Sequence, residues 1–212
     1  MNFLNTSFLP HIPVLVTTGS PRSESTKSEV FDLKTGKACQ NLPPFPIEVF
    51  GAVGEIVNGF HLICGGYTVV NGATIIYQSG CYALKGNTWK LIGSMRQPRG
   101  YASSLLLDKN TMWIMGGYTD SGRTMTTEYI ELDANGAMKQ SQGPDLPKAS
   151  DEHCSLRISN TEVIVMGGQL ADKTYIYDLQ TGTWNEGPQL NDSGERKWAA
   201  CGFIPDQVTN SR

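Results

Sequence analysis

The sequence predicts an all-β chain assembled from repeated four-stranded units, and three observations carry that expectation. Double glycines recur at Gly65 and Gly66, Gly116 and Gly117, and Gly167 and Gly168, each pair 51 residues from the last. A Tyr followed by a Trp seven residues later recurs as YALKGNTW (Tyr82, Trp89) and YDLQTGTW (Tyr177, Trp184). The 23 glycines and 11 prolines punctuate the chain at short intervals, and no stretch holds a capped helical period, which suits short strands and turns. Self-similarity at this period decides architecture before any local feature does.

Taken in chain order, the first unit opens with PVLVTTGS, where Thr18 and Gly19 stand in place of a double glycine, and continues with FDLKTGKA, where Phe31 and Ala38 stand in place of Tyr and Trp. The second holds FHLICGGYTV, then YALK and NTWKLIG. In the third, YASSLLL alternates small and apolar residues, Asp108 to Asn110 turn the chain, and MWIMGG, TTEYIEL and a Trp-less fourth run follow. The fourth has TEVIVMGGQL, YDLQ and GTWNEGP, and KWAACGFI then starts the grammar again. Period-two alternation bounded by turn residues is the strand signature. The repeats run over about 13–59, 60–110, 111–160 and 161–204 of one domain, with inner strands expected at Gly51 to Ile56, Tyr101 to Leu107, His153 to Ile158 and Trp198 to Ile204. Where an inner strand must bend beside neighbouring sheets, a Cβ either clashes or forbids positive φ, and glycine removes both obstacles.

The double glycine, the Tyr and Trp in register, and the period near 50 residues together resemble the kelch repeat over nearly all of the chain, from about Pro13 to Ile204. The resemblance implies a β-propeller, with one four-stranded blade per repeat around a central axis. Each blade has two apolar faces that only neighbours can bury. Two closures fit: a four-bladed ring sealed by strands from both chain ends, which leaves no open edge, or part of a longer propeller. The six or seven blades usual in the family favour the second.

Composition narrows the function classes. A net charge of −3 gives no basic footprint, so nucleic acid is a poor partner. No apolar run approaches the roughly 18 residues of a membrane helix. The N-terminal MNFLNTSFLPHIPVLV lacks a positive n-region and carries prolines in its apolar part, so it is a poor signal peptide. The default compartment is cytoplasmic, or extracellular if Met1 is not the true start. The sequons at Asn5 and Asn191 fit glycosylation only in a secreted protein.

None of the five cysteines forms a C-x-x-C pair, so a zinc site is not supported. Cys154 and Cys201 read as small core hydrophobes. If Asn71-Gly72 makes a two-residue turn, Cys64 faces Ser79 and Cys81 lies diagonal to it, at the far edge of disulfide reach unless a bulge brings them opposite. Reduced core thiols are the expectation.

His11, His61 and His153 have no second ligand at metal spacing, and there is no phosphate loop, nucleophile motif or carboxylate cluster. Some kelch propellers are enzymes or enzyme cofactors. The specifier proteins carry Glu, Asp and His in steps of four, and no Glu here has an Asp four residues later; a galactose-oxidase copper set is also missing. The expectation is a non-enzymatic module, without cofactor or metal, that binds another protein or peptide through its loops. The resemblance places Arg99, in SMRQPRGY, where kelch adaptors present an Arg to acidic peptides. Tyr101 beside it, Asp151 and Glu152 in the next fourth-to-first-strand loop, and Arg196 and Lys197 in the one after complete the expected partner-binding set. The alternative is an extracellular propeller enzyme or carbohydrate binder with its active residues outside this chain.

Overall fold

The computed structural model describes residues 13–17, 26, 28–32, 37–170, 172–191 and 201–202. Nineteen strands and no helix make up its regular structure among these residues. The first sheet is β1 (Pro13–Thr17), β2 (Ser28–Asp32) and β3 (Lys37–Asn41). A second runs β4 (Val53–Val57), β5 (Phe60–Cys64), β8 (Gly80–Lys85) and β9 (Thr88–Ser94), with a hairpin of β6 (Tyr67–Val70) and β7 (Thr74–Tyr77) inserted between its second and third strands. The third runs β10 (Ser103–Asp108), β11 (Thr111–Met115), β14 (Thr127–Leu132) and β15 (Met138–Gln142), with the short hairpin β12 (Tyr118–Thr119) and β13 (Gly122–Arg123) at the same place. The fourth is β16 (His153–Arg157), β17 (Glu162–Gly167), β18 (Thr174–Asp178) and β19 (Thr183–Glu186).

All ladders are antiparallel, and each sheet is a simple meander. The arrangement is β-propeller-like: β10, the first strand of its sheet, packs against β4 on one side and β16 on the other. Two of the expected inner strands begin two residues late, after Gly51-Ala52 and Tyr101-Ala102. The one expected at Trp198 to Ile204 lies outside the described residues except for Cys201 and Gly202, which are not in a strand.

Both faces of the middle sheets are buried, which is why their second strands read as unbroken apolar runs. Met112 and Ile114 of β11 join Leu62, Cys64, Cys81 and Ala83 in the core between the second and third sheets. Trp113 and Met115, pointing the other way, join Val163, Val165 and Tyr177 between the third and fourth. Ile63, Trp89 and Phe45 fill the opposite face of the second sheet.

The double glycines sit where consecutive sheets meet. All six carry positive φ, from +57° at Gly168 to +103° at Gly117. The second glycine of each pair lies against the loop that enters its own sheet: a Cβ on Gly117 would come 2.7 Å from the Gly100 carbonyl oxygen and 3.1 Å from Ala102 Cβ, and one on Gly66 would come 2.6 Å from the Phe50 oxygen. In the first two pairs the first glycine lies against the loop entering the next sheet: a Cβ on Gly65 would meet the Arg99 carbonyl oxygen at 2.7 Å, and one on Gly116 would meet that of Ser150. Gly66 N–H donates to that oxygen (2.8 Å), and Gly117 N–H repeats the bond to Ser150 (2.8 Å).

The cysteines depart from expectation. The hairpin loop is three residues, with Val70 opposite Thr74, and the returning chain carries one residue more, with Gln78, Ser79 and Gly80 set against Gly65 and Gly66, so Cys64 pairs directly with Cys81. Their Cα atoms are 4.1 Å apart and the pair is a disulfide. Cys154 is not a lone hydrophobe either: it is bonded to Cys201, at a Cα separation of 5.9 Å. Successive junctions thus use one position differently. Ser103 and Cys154 each face the Met just before a double glycine. Ser103 reaches the next sheet by a hydrogen bond to His153, whereas Cys154 reaches residue 201 by a covalent bond.

The junction argument separates two costs. Gly59 has φ +82° and nothing within 4 Å of an added Cβ, whereas Gly117 has both positive φ and close backbone. Gly59→Val is expected to cost about 1–2 kcal/mol, and Gly117→Val at least about 2 kcal/mol more. Urea denaturation of both variants checks this; equal losses would contradict the crowding account.

Candidate functional site

The loops from a fourth strand into the next first strand, and the inserted hairpins, gather at one end of the sheets. Here the structure commits two of the six sequence candidates, Arg99 and Asp151, to internal ion pairs. Arg99 does not reach solvent: it is 1% exposed and forms an ion pair with the equally buried Glu128 at 2.9 Å. Its Nη1 donates to the carbonyls of Gly116 (2.9 Å) and Thr126 (2.7 Å), and its Nη2 to Thr126 Oγ1 (2.9 Å). Glu128 in turn accepts from the backbone N–H groups of Arg96 (2.6 Å) and Gln97 (3.1 Å). Burial pulls the Arg99 guanidinium below its ordinary pKa, and the Glu128 carboxylate opposes that shift. SMRQPRGY therefore clamps its own loop to β14. The sequence signal was present in the acidic residue of TTEYIEL, one position after the strand's first residue, but nothing in the sequence paired it with Arg99.

Asp151 is likewise buried and accepts from Arg123 Nε of β13 at 2.8 Å, while the Arg123 guanidinium lies over the Tyr118 ring. Tyr101 and Glu152 are half-buried, and both are non-glycine residues in the left-handed region, with φ +56° and +55°. They occupy the position of Gly51, φ +58°. The strain supports a chain of bonds across the loops: Tyr101 N–H donates to Gly51 C=O (2.9 Å), and Glu152 N–H to Tyr101 C=O (2.9 Å). Arg196 and Lys197 lie outside the described residues.

Besides the exposed charges of Arg96, Asp120 and Arg123, this end carries a row of half-buried aromatic rings and an exposed apolar hairpin. The Tyr67 ring touches those of Phe50 (5.4 Å between centroids), Tyr101 (5.0 Å) and Tyr77 (6.2 Å), and Tyr77 touches Tyr118 (6.0 Å). The row runs from the second sheet's entry loop to the third sheet's hairpin. Burial, and then a hydrogen bond with Tyr67, raise the Tyr101 hydroxyl well above its usual pKa, so it stays a protonated donor. Beyond the row stand β6 and β7, where Val69, Val70, Ile75 and Ile76 are between 39% and 48% exposed. Sequence reading found this hairpin from Asn71-Gly72 but gave it no role, because apolar alternation alone does not tell a core strand from an exposed one.

Beneath this end, His153 is buried, with Nε2 2.9 Å from Ser103 Oγ and Nδ1 without a hydrogen-bond partner. On β4, burial raises the Glu55 carboxyl, opposed by its hydrogen bond from Ser104. No group of three or more His, Cys, Asp or Glu side chains among the described residues is placed to hold a metal ion.

No protein-family model and no curated protein matches the sequence. Solved structures do match. One, described as the structure of YjhT, aligns with a TM-score of 0.66 over 80% of this chain and 64% of that chain, at 14% identity. The chain therefore spans less than two thirds of that structure, and at this identity the likeness establishes the fold alone.

Two outcomes follow from the buried groups. Arg99→Ala leaves the Glu128 carboxylate buried without its cation and is expected to cost about 3–5 kcal/mol, whereas Arg123→Ala, at a partly exposed pair, costs about 1 kcal/mol or less. Denaturant midpoints decide; a mild Arg99→Ala would contradict the clamp. Burial lowers the His153 pKa from 6.5 to about 4. Its folded pKa lies below the unfolded one, so its neutral form supports folding above pH 6.5 and that support is lost as pH falls towards 4. The loss is on the order of 3 kcal/mol. His153→Gln should show a correspondingly shallower fall in stability over this window, and parallel pH profiles would contradict the assignment.

Proposed function

We propose that this chain is a kelch-type propeller module that binds another protein or peptide at the end carrying the inserted hairpins. The observation that carries the reading is the exposed apolar hairpin β6–β7 standing beside the tyrosine row. Clustered exposed aliphatic side chains next to aromatics mark interaction surfaces. The arginine-reading mechanism suggested by sequence is set aside, because Arg99 and Asp151 are already committed to internal ion pairs. Kelch type and blade number rest on the repeat pattern.

Peptides selected from a random display library on the immobilised chain test this. Ile75→Asp, on the face shared with Tyr67, Val69 and Tyr77, is expected to weaken the selected binders about tenfold or more. Lys109→Ala, at the far end of the sheets, should leave them unchanged. Failure to select any binder, or binders indifferent to Ile75→Asp, would sink the proposal.

The alternative, an extracellular propeller enzyme or carbohydrate binder, is favoured by one observation. Two disulfides are expected of a protein that matures in an oxidising compartment. With four of the five cysteines bonded, alkylation of the denatured, unreduced protein should tag a single thiol per chain. Five tagged thiols in protein from its native source would remove this support.

A further inference from the structure

The hairpin β6–β7 is an edge as well as an apolar face. Tyr67 exchanges both its backbone bonds with Phe50, N–H to C=O at 2.8 Å and C=O to N–H at 2.9 Å, so its polar groups point away from β7. Backbone direction alternates along a strand. Tyr77, opposite Tyr67, and Ile75, two residues earlier, therefore turn their N–H and C=O groups to the outer side of β7. Among the described residues β7 has β6 as its sole strand partner, and no other backbone bond is made by Ile75 or Tyr77.

Exposed edges are ordinarily protected by charge, proline or shortness. The equivalent connection of the third sheet has two-residue strands and carries Asp120 and Arg123; that of the fourth has no hairpin among the described residues and carries Asp172 and Lys173. By contrast, no Asp, Glu, Lys, Arg or His occurs from Leu62 to Leu84. Thr68, Val69, Val70, Thr74, Ile75 and Ile76 are all β-branched, the residue class that packs best on a pleated surface. An edge of this kind carries no charge to repel a second copy of itself, and its β-branched side chains are of the class that packs on a pleated surface.

We infer that β7 is a strand-addition site whose partner is β7 of a second copy of this chain, paired antiparallel about a two-fold axis at Ile76. In that register Ile75 of one copy and Tyr77 of the other form a hydrogen-bonded pair, and the reciprocal pair forms across the axis. The two Ile76 side chains, each 45% exposed in the single chain, meet directly at the axis. The pairing joins the two hairpins into one four-stranded sheet, with no like charges brought together. This inference rests on the proposed interaction face and names its partner.

Sedimentation velocity of the purified chain from about 1 μM to about 1 mM tests it, together with Ile76→Lys and Ile76→Glu. The parent is expected to show a concentration-dependent monomer–dimer equilibrium. Each variant alone should dimerise more weakly by tenfold or more, roughly, since like charges meet at the axis. An equimolar mixture of the two should recover dimer, which neither misfolding nor general loss of apolar surface would produce. A parent that stays monomeric, a dimer indifferent to Ile76→Lys, or a mixture that does not recover would overturn the inference. If the parent is monomeric while Ile75→Asp still abolishes capture of displayed peptides, the interaction face stands and only the self-pairing falls.

Discussion

Adjacent sheets are fastened by the contact between a double glycine and two successive entry loops. The pairs Gly65-Gly66 and Gly116-Gly117 are each held between the loop entering their own sheet and the loop entering the next, and Gly168 lies against the loop entering its own sheet, at separations from backbone that leave no room for a Cβ. The N–H of the second glycine is satisfied by the following loop, through Gly66 to Arg99 and Gly117 to Ser150. An isolated blade would leave these donors and both apolar faces exposed, so stability is a property of the junctions. The regular period follows, since each junction needs the same glycines at the same place.

The same constraint explains why Arg99 and Asp151 of the entry loops turn away from solvent. The loop backbone is pinned on one side by glycine backbone and on the other by its neighbour's loop, and the residues next to those contacts are drawn inward. Arg99 turns inward and holds β14 through Glu128, and Asp151 holds β13 through Arg123. Tyr101 and Glu152 adopt left-handed backbone to continue the bonds between loops. Freedom returns only beyond the glycines, where the second sheet extends β6 and β7, and there the apolar edge is found.

Much of the fold was legible because it is written in repetition. The runs MWIMGG, TTEYIEL and NTWKLIG became β11, β14 and β9, and the degraded PVLVTTGS became β1. Positive φ and crowding at the double glycines were likewise deducible from three pairs in register. Register was not. A three-residue hairpin loop and the extra residue among Gln78, Ser79 and Gly80, opposite Gly65-Gly66, each shift β8 by one position, and together they convert Cys64 and Cys81 from diagonal neighbours into a bonded pair. The burial of Arg99 was illegible for a similar reason: its partner Glu128 lies 29 residues away on a neighbouring strand, a contact no local pattern encodes.

Amide hydrogen exchange at Gly66, Gly117, Tyr101 and Glu152 tests the junction account most directly. The first two N–H groups bond a double glycine to the next entry loop, and the other two bond one entry loop to the one before it. If the junctions hold the sheets together, the four amides exchange only through global unfolding, with protection equal to that of the core strand amides of Trp113 and Val165. Rapid exchange of the four while β11 and β17 stay protected would show that each sheet is stable without its junctions, and would contradict the account.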